Sequence, residues 1–419
     1  MDGDDQGHWL IGRAEIDPGL RDRVADDYRR LARAGPPDRY HEWIAERYGL
    51  DLSTGFAGHR LSNPWAKASG QLSMNRQQVA EDIEAGLGYI VLKTVIAETG
   101  DGAQSMSAWS IREARMLVES ITSRRGERGW TVSWKGRGWW GTFAEYLDLL
   151  AAAREDAASS QTLIVPSVKY HLPAPGEAEW LVEEYEHTTQ KLVEAWQTTD
   201  DSPMPLEKDF SPTLAGSGHA RVRETVIEWL RRVPALIRGA VDGGRVVVGL
   251  KIFNALFDDE FQLALLRSIQ EADGIEATDW WTYGNRLFDP RREFDGHRGI
   301  AYGGPDLSDR NLRVLSAFQA EVGPAMRPLA ATGNINSGRM ALEYALRGAS
   351  SFQLHTFFQL PNERYALTGG TRTQKALHEL YLHPEDGLVV WLEHLARRWG
   401  LAHDPLRFVD VVGRGRPDR

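Results

Sequence analysis

The stretch ATGNINSGRMALEYALRGASSFQLHTFF, residues 331–358, is the part of the sequence that decides the fold class. The apolar residues 326–331 predict a strand that runs into a polar, glycine-containing turn. Apolar residues at helical spacing predict a helix from 338 to 346, and residues 351–358 predict a second strand. A strand, a turn, a helix and a strand in this order are typical of a parallel βαβ unit.

The turn of this unit is suited to an anion, because backbone N–H groups and a helix N-terminus are available there. Its candidate residues are Gly333, Asn334, Ser337 and Gly338. Barrels of parallel strands often hold a phosphate in such a turn. Two interpretations stay open at this point: a phosphate site, or a tight βα turn that needs glycine without any ligand.

The same alternation continues along the chain and favours an α/β fold, a (β/α)8 TIM barrel with an N-terminal helical extension and C-terminal helices. The long segments 95–142, 198–220 and 284–307 follow predicted strands, so we expect them at the C-terminal mouth of the barrel, where active sites lie. The predicted strands are 64–68, 89–94, 162–167, 191–197, 245–253, 277–283, 326–332 and 351–358, and the predicted helices between them are 76–86, 110–122, 143–155, 177–188, 221–240, 259–272, 308–322 and 338–346.

Three regions are expected: a helical N-terminal extension at 1–56, the barrel at 57–403 and a C-terminal tail at 404–419. The extension contains two helical patterns separated by Gly-Pro-Pro at 35–37. We expect it to act as a lid or as a contact in a homodimer. The tail is expected to fray from Gly413 onwards.

Composition narrows the range of functions. The chain has 419 residues and no cysteine, which excludes disulfides, thiolate-bound metal sites and a cysteine nucleophile; we predict no metal site. A formal net charge of -10, with no basic block to offset it, argues against a nucleic-acid partner. No apolar run approaches the roughly 18–20 residues of a membrane span, and the acidic start does not read as a signal peptide. We therefore expect a cytoplasmic protein with a small-molecule substrate and no membrane partner.

Five segments together resemble one enzyme family, the dihydroorotate dehydrogenases, which are FMN-dependent (β/α)8 barrels. The similarity spans roughly residues 57–360, and its motifs occur in the family's order. The segments are NPWAKASG (63–70), YIVLKT (89–94), VVVGLKIFN (246–254), YGGPDLSDRNLRVL (302–315) and ATGNINSGRMALEYALRGASSFQLHT (331–356).

The resemblance implies an FMN site whose residues can be named by position. Ala68, Ser69 and Gly70 match the turn under the flavin ring, while Lys93 and Thr94 match a Lys-Thr pair near the flavin. Lys251 matches a strand lysine at the N1/O2 edge, where positive charge stabilises reduced flavin. The alternative is that these lysines are interior groups paired with carboxylates. The remaining implied cofactor residues are Thr282, Gly303, Gly304, Gly333, Asn334, His355 and Thr356, of which Asn334 and His355 replace glycines.

The substrate and catalytic loops depart from the family. Asparagines that grip the pyrimidine ring are missing, so dihydroorotate is not the expected substrate. The base of the family, a Cys or Ser, corresponds to Thr199, with Thr198 or Asp201 as alternatives if the register differs. Tryptophans take the place of the asparagines, and three basic residues are candidate anchors for a substrate carboxylate. These predicted substrate residues are Trp134, Trp139, Trp140, Trp196 and Trp281, with Lys67, Lys135 and Arg137 as the anchors.

The sequence thus predicts an FMN-dependent oxidoreductase that resembles dihydroorotate dehydrogenase. Its reaction would pass a hydride to or from flavin N5 and oxidise or reduce a small organic substrate. The alternative is a barrel that binds a phosphate ligand, or serves as a scaffold, without a catalytic flavin.

Overall fold

The computed structural model describes residues 7–110, 117–132, 138–173, 177, 179–210, 223–242, 244–255, 257–294, 296–402 and 404–417. Helices α3 to α8 surround a parallel sheet, and each packs against the next one along the chain. The described residues form eleven helices: α1 (Pro18–Ala34), α2 (Tyr40–Tyr48), α3 (Arg76–Glu84), α4 (Phe143–Ala157), α5 (Val182–Trp196), α6 (Arg223–Gly239), α7 (Asp259–Glu271), α8 (Pro305–Val322), α9 (Gly338–Leu346), α10 (Arg372–Leu382) and α11 (Leu388–Trp399).

The central sheet has ten strands, all paired in parallel. This establishes an α/β, barrel-like architecture in which the sheet curls around a common interior. In chain order the strands of the sheet are β4 (Trp65–Lys67), β5 (Tyr89–Val91), β6 (Val95–Ile96), β9 (Leu163–Val165), β10 (Ser167–Lys169), β11 (Met204–Asp209), β12 (Val246–Phe253), β13 (Trp280–Asn285), β16 (Leu329–Thr332) and β17 (Ala349–Leu354).

Alternation along the strands separates the sheet interior from the helix layer. On β13, Trp281 packs outward against Phe318 of α8, with ring centroids 5.7 Å apart. Its neighbour Trp280 points inward, where it meets Phe56 at 5.0 Å. Successive side chains of a strand face opposite sides, so the next inward residue of β13 is Thr282.

A short hairpin closes the N-terminal end of the sheet interior. It consists of β2 (Thr54–Phe56) and β3 (His59–Leu61), which are antiparallel. Phe56 at its tip stacks on Tyr89 with ring centroids 4.2 Å apart, and both rings are buried. This end is therefore a packed apolar floor.

Two further hairpins lie at the opposite end. One is formed by β7 (Val118–Thr122) and β8 (Arg128–Val132), the other by β14 (Leu287–Phe294) and β15 (His297–Tyr302). Gly303 N donates to Thr131 Oγ1 at 2.9 Å and so ties the second hairpin to the first. Both hairpins fall in long segments that were predicted to cover this end.

One predicted strand is wrong. Residues 191–196 belong to helix α5 and Gln197 caps it, while the strand of this βα unit is β11, which lies in a segment that was predicted to be a loop. Every residue of β11 is buried although three of them, Glu207, Lys208 and Asp209, are charged. Because of these charges, a search for runs of apolar residues does not identify the strand.

The predicted helix 110–122 is also wrong at its C-terminal end, because residues 118–122 form strand β7. Residues 111–116 lie outside the described part of the chain. The remaining predicted helices and strands coincide with observed elements of the same type, with shifted ends.

The N-terminal segment from Gly7 is part of the main hydrophobic core. Buried side chains of α1 and α2, such as Val24 and Ile44, join the same core cluster as the sheet. Helix α1 packs on α10 and α11, and β1 (Leu50–Asp51) pairs with β18 (Leu406–Arg407). The C-terminal residues continue this packing, since Gly413 N donates to Ala345 O at 2.8 Å instead of fraying.

Among the helices in the described part of the chain, none combines the length and the apolar character that crossing a membrane requires.

Candidate functional site

A cavity opens at the end of the sheet opposite the Phe56 floor. The C-terminal ends of the parallel strands and the two hairpins β7–β8 and β14–β15 form its walls. All of the predicted cofactor residues except Thr282 line it. They are Ala68, Ser69, Gly70, Lys93, Thr94, Lys251, Gly303, Gly304, Gly333, Asn334, His355 and Thr356.

A buried charged network forms the base of this cavity. Lys251 Nζ donates to Gln353 Oε1 at 3.0 Å and lies 3.6 Å from Glu207 Oε1. The other carboxylate oxygen, Glu207 Oε2, accepts from Gln353 Nε2 at 2.6 Å and from Thr282 Oγ1 at 3.3 Å. Burial raises the pKa of Glu207 against the attraction of Lys251. Thr282 thus lies one layer beneath the cavity and supports Lys251 indirectly.

Asp209 is the carboxylate that reaches the cavity itself. Its Oδ2 accepts from Lys169 Nζ at 3.3 Å and lies 3.5 Å from Thr94 Oγ1, which in turn lies 2.7 Å from Ser69 Oγ. Burial disfavours its charge, but Lys169 and Lys251 outweigh this and keep the pKa of Asp209 below its usual range. Its Oδ1 has no hydrogen-bond partner within the described residues.

The pKa of Lys93 is lowered toward neutral pH. Burial, reinforced by the positive charge of Lys169, lowers the pKa of the Lys93 ammonium to about 7. An anion beside Lys93 would counteract both effects and return the lysine to its charged form. The cavity therefore favours a negatively charged ligand near this residue.

Two helix-initiating turns form the opposite rim. Gly304 begins α8 with φ +92°, and Gly333 precedes the turn into α9 with φ +103°. Asn334, at φ +53°, donates from Nδ2 to Ser308 Oγ at 2.9 Å and so connects the two turns. Turns of this kind, at the start of a helix, are common phosphate sites in proteins.

The requirement for glycine at these turns is partly structural. A Cβ on Gly333 would lie 2.8 Å from Asn311 Nδ2 and 2.9 Å from Gly284 O, so crowding alone excludes other residues. At Gly338 a Cβ would lie 1.9 Å from the backbone nitrogen of Leu388, which means that this glycine permits close packing and does not face the cavity. Close packing therefore accounts for both glycines, and a phosphate site in this turn stays a prediction.

His355 forms the wall beside Gly70. A Cβ on Gly70 would lie 2.2 Å from the imidazole ring, so the histidine requires glycine at that position. Burial and the nearby Arg286 hold the pKa of His355 well below its usual range, so the ring is neutral. It does not add a charge to an anion site.

Several predicted substrate residues lie away from the cavity. Lys67 points into the helix layer, where its Nζ lies 3.0 Å from Asp82 Oδ1 and donates to Thr373 Oγ1 at 3.0 Å. Trp281 is packed behind β13, and Trp196 is buried at the end of α5 with its Nε1 donating to Ser202 O at 2.8 Å. These tryptophans belong to the core, and Lys67 is a paired interior lysine.

Trp139 and Trp140 do not line the cavity either. Trp139 N donates to Thr94 O at 2.7 Å, while the side chain of Trp140 is 45 % exposed. Trp134, Lys135 and Arg137 lie outside the described residues.

The predicted catalytic residues do not line the cavity. Thr198, Thr199 and Asp201 are exposed on the turn between α5 and β11, which precedes the strand. Loops that precede a barrel strand lie at the end opposite the active site. The misassigned strand at 191–197 is the cause, since it reversed the end of the sheet on which this turn was expected.

Residues that the sequence reading missed include Glu207, Asp209, Gln353 and Arg286. A signal for the first two existed: Glu-Lys-Asp between Leu206 and Phe210 places charges in an apolar context. Within the described residues, no group of three or more His, Asp or Glu side chains is arranged to hold a metal ion.

The chain matches no known family model, and no curated protein is similar to it in sequence. The relation to the dihydroorotate dehydrogenases therefore stays a prediction from the motifs.

Proposed function

We propose that this protein is an FMN-dependent oxidoreductase with a closed (β/α)8 barrel that resembles dihydroorotate dehydrogenase. The observation that carries the proposal is the cavity, which combines buried lysines at its base with two glycine turns at its rim. Lysines near a flavin and backbone N–H groups near a phosphate are the two donor sets that FMN needs.

Closure of the barrel follows if each interrupted strand counts as one. Strands β5 and β6 are separated by residues 92–94, and β9 and β10 by Pro166. β5 pairs with β9, β6 pairs with β10, and β4 pairs with both β5 and β17. The ten strands then become eight, each with two neighbours, as in a (β/α)8 barrel.

The residues of the cavity fit both the flavin end and the phosphate end of FMN. Lys93 and Lys251 supply ammonium groups at the base, and the turns at Gly304 and Gly333 supply backbone donors at the rim. Asn334 and His355 are the departures, since both stand where the family has glycine, and the ring of His355 is neutral. The ring packs on Gly70 and so occupies space beside the turn that is implied to lie under the flavin.

Each residue of the cavity has a task in this proposal. When bound, FMN accepts or donates a hydride at N5. Lys251, held by Glu207 and Gln353, keeps positive charge where negative charge develops. Oxidation of a substrate C–H bond with loss of an adjacent N–H or O–H also releases a proton, and Asp209 Oδ1 is the acceptor that we assign to it.

Dihydroorotate is not the substrate that we propose. The asparagine motifs with which the family grips the pyrimidine ring are missing from the sequence. The charged residues Asp209 and Arg286 line the cavity, beside Asn285, Asn334 and Asn336. A site that lacks the hydrogen-bond partners of a polar ring discriminates against that ring by orders of magnitude.

The test is direct. We expect the purified protein to contain a yellow cofactor that mass spectrometry identifies as FMN. Its absorbance should bleach anaerobically with dithionite and recover with an electron acceptor, whereas dihydroorotate should not bleach it. A colourless protein that binds inorganic phosphate would favour the non-redox barrel, and FAD alone would contradict the assignment of the phosphate turns.

A matched pair of variants links the cofactor to the cavity. Lys251→Ala should retain less FMN and lower the reduction potential of the flavin that remains. Lys191→Ala, which removes an exposed lysine of helix α5, should retain FMN like the parent protein. Equal retention by both variants would place the flavin elsewhere.

A further inference from the structure

Arg286 occupies a strained position in the wall of the cavity. It forms the turn between β13 and β14, and its φ is +46°, a region that residues other than glycine seldom adopt. Strain of this kind persists where surrounding contacts fix it, and it clusters at functional sites. The contacts here fix the guanidinium at the cavity edge.

One nitrogen of the guanidinium is hydrogen-bonded to the protein, and the other two are not. Its Nη1 donates to Val132 O at 2.7 Å and to Ala301 O at 3.4 Å, one carbonyl from each hairpin above the cavity. Within the described residues, Nε and Nη2 have no acceptor, and the side chain of Arg286 is partly exposed. Nε and Nη2 together form the edge with which arginine binds a carboxylate through two parallel hydrogen bonds.

The charge of Arg286 is only partly balanced by the protein. Burial lowers the pKa of Arg286 to about 10 against the attraction of Asp209, so the group is still a cation at neutral pH. Among the described residues no carboxylate lies within ion-pair distance of it, because Glu207 is paired with Lys251 and Asp209 with Lys169. Arg286 is half-buried, so its charge has lost part of its solvation, and an anionic ligand would compensate for that loss.

We propose that Arg286 binds a carboxylate of the substrate through Nε and Nη2, and that the substrate is therefore a small organic acid. The inference rests on the proposed function, because it takes the cavity as the place of catalysis. It also replaces Lys67 as a substrate anchor, since that lysine is already paired in the helix layer. We assign the cofactor phosphate to the turns at Gly304 and Gly333 instead.

The experiment measures anion binding by isothermal titration calorimetry, which needs no flavin signal. Acetate, benzoate and phenylacetate are titrated into the full-length protein, each beside its neutral amide. The parent should prefer the carboxylates. Arg286→Gln should weaken carboxylate binding about 30-fold or more and leave the amides unchanged, because a bidentate charged contact is lost. Arg286→Lys should be intermediate, since it keeps the charge without the planar fork.

Arg291→Gln is the matched control, because Arg291 lies on strand β14 of the same hairpin with its side chain 82 % exposed. It should bind carboxylates like the parent, and thermal melting of all variants verifies that they are folded. Equal affinity of the parent for acids and amides, or an unchanged preference in Arg286→Gln, would overturn the inference. Loss of FMN from Arg286→Gln, together with competition between carboxylates and inorganic phosphate in the parent, would also overturn it, because Arg286 would then serve the cofactor phosphate.

The two proposals fail in different ways. A colourless protein that still prefers carboxylates through Arg286 would refute the flavin but keep the anion site. A yellow protein without that preference would do the reverse.

Discussion

Lys251 and Glu207 show how the cavity depends on charge pairing at single residues. Both side chains are buried and lie 3.6 Å apart, so neither charge is solvated by water. Removing one partner of a buried pair leaves the other uncompensated, which typically costs about 3–5 kcal/mol. Replacing both partners by neutral groups avoids much of that cost.

We therefore expect Lys251→Met to lower the free energy of unfolding of the cofactor-free protein by about 3–5 kcal/mol. Lys251→Met combined with Glu207→Gln should recover part of this loss. Urea unfolding measures both. The control is Lys191→Met, which breaks an exposed pair with Glu194 and should cost less than about 1 kcal/mol. If Lys251→Met costs no more than Lys191→Met, the buried pair is not what stabilises the base of the cavity.

The error in the predicted catalytic base, Thr199, also concerns a single residue. Thr199 was assigned by counting along a motif, and a motif gives spacing but not the end of the sheet at which a turn lies. Asp209 sits at the C-terminal end of β11 and faces the cavity, whereas Thr199 lies before the strand. Because adjacent strand residues face opposite sides, an error in the strand changes every assignment that follows.

At the scale of elements, the hairpin β2–β3 closes the N-terminal end of the sheet interior. Phe56 fills the space between Tyr89 and Trp280, and all three rings are buried. Removing a buried aromatic side chain deletes apolar contacts and leaves a cavity behind.

Phe56→Ala should therefore lower the free energy of unfolding by about 3–5 kcal/mol. Denaturant unfolding of the parent and the variant gives the difference. Arg60→Ala, on the exposed face of the same hairpin, should change stability by less than about 0.5 kcal/mol. A similar small change in Phe56→Ala would mean that the floor is held by other contacts.

Helices and strands could be predicted where the burial of a single face produces a clear periodicity of apolar residues. Helix α9 begins at Ser337, whose side chain accepts from Met340 N, and its apolar positions recur with helical spacing. Strand β11 could not be predicted in this way, because its inward residues Glu207 and Asp209 are stabilised by lysines of other strands. Such pairing is invisible until the strands are placed side by side.

At the scale of the whole molecule, the N-terminal segment is joined to helices α8 and α9 by a charged cluster. His8 Nε2 lies 3.1 Å from Asp309 Oδ1, and Glu343 accepts from the backbone nitrogens of Trp9 and Leu10. Burial opposes the charge of His8, but hydrogen bonds to Asp309 and Glu343 raise its pKa to about 9. The N-terminal segment is therefore bound to helices α8 and α9, and its role as a lid or dimer contact stays a prediction.

The raised pKa gives a signed pH dependence. Protonated His8 stabilises the fold fully below pH 6.5, its unfolded value, and this contribution disappears as the pH rises through about 9. The loss is at most about 1.4 kcal/mol per pH unit, and less after solvent screening. Urea unfolding of the parent and of His8→Gln at pH 6 and pH 10 should show a stability gap at pH 6 that closes at pH 10.

Lys93 titrates in the opposite sense, which is why the comparison uses the difference between the two proteins and not the parent alone. Its pKa is lowered to about 7, so its effect on stability becomes more favourable as the pH rises above that value. This contribution is common to the parent and His8→Gln and cancels in the gap. A gap that is unchanged between pH 6 and pH 10 would show that His8 is not paired in the folded state.

The sequence by itself determined the parallel α/β class, because one-sided burial produces a readable periodicity. Twelve of the residues that line the cavity were named through the resemblance to a known family, and they meet because the C-terminal ends of parallel strands lie at one edge. Only the tertiary structure decided which charges face the cavity and which are paired elsewhere. Lys67 and Lys251 are both strand lysines, yet one meets Asp82 in the helix layer and the other meets Glu207 beneath the cavity. The direction of a side chain depends on strand phase and on partners far away in the chain, so the unpaired edge of Arg286 became visible only after two distant hairpins had supplied its other contacts.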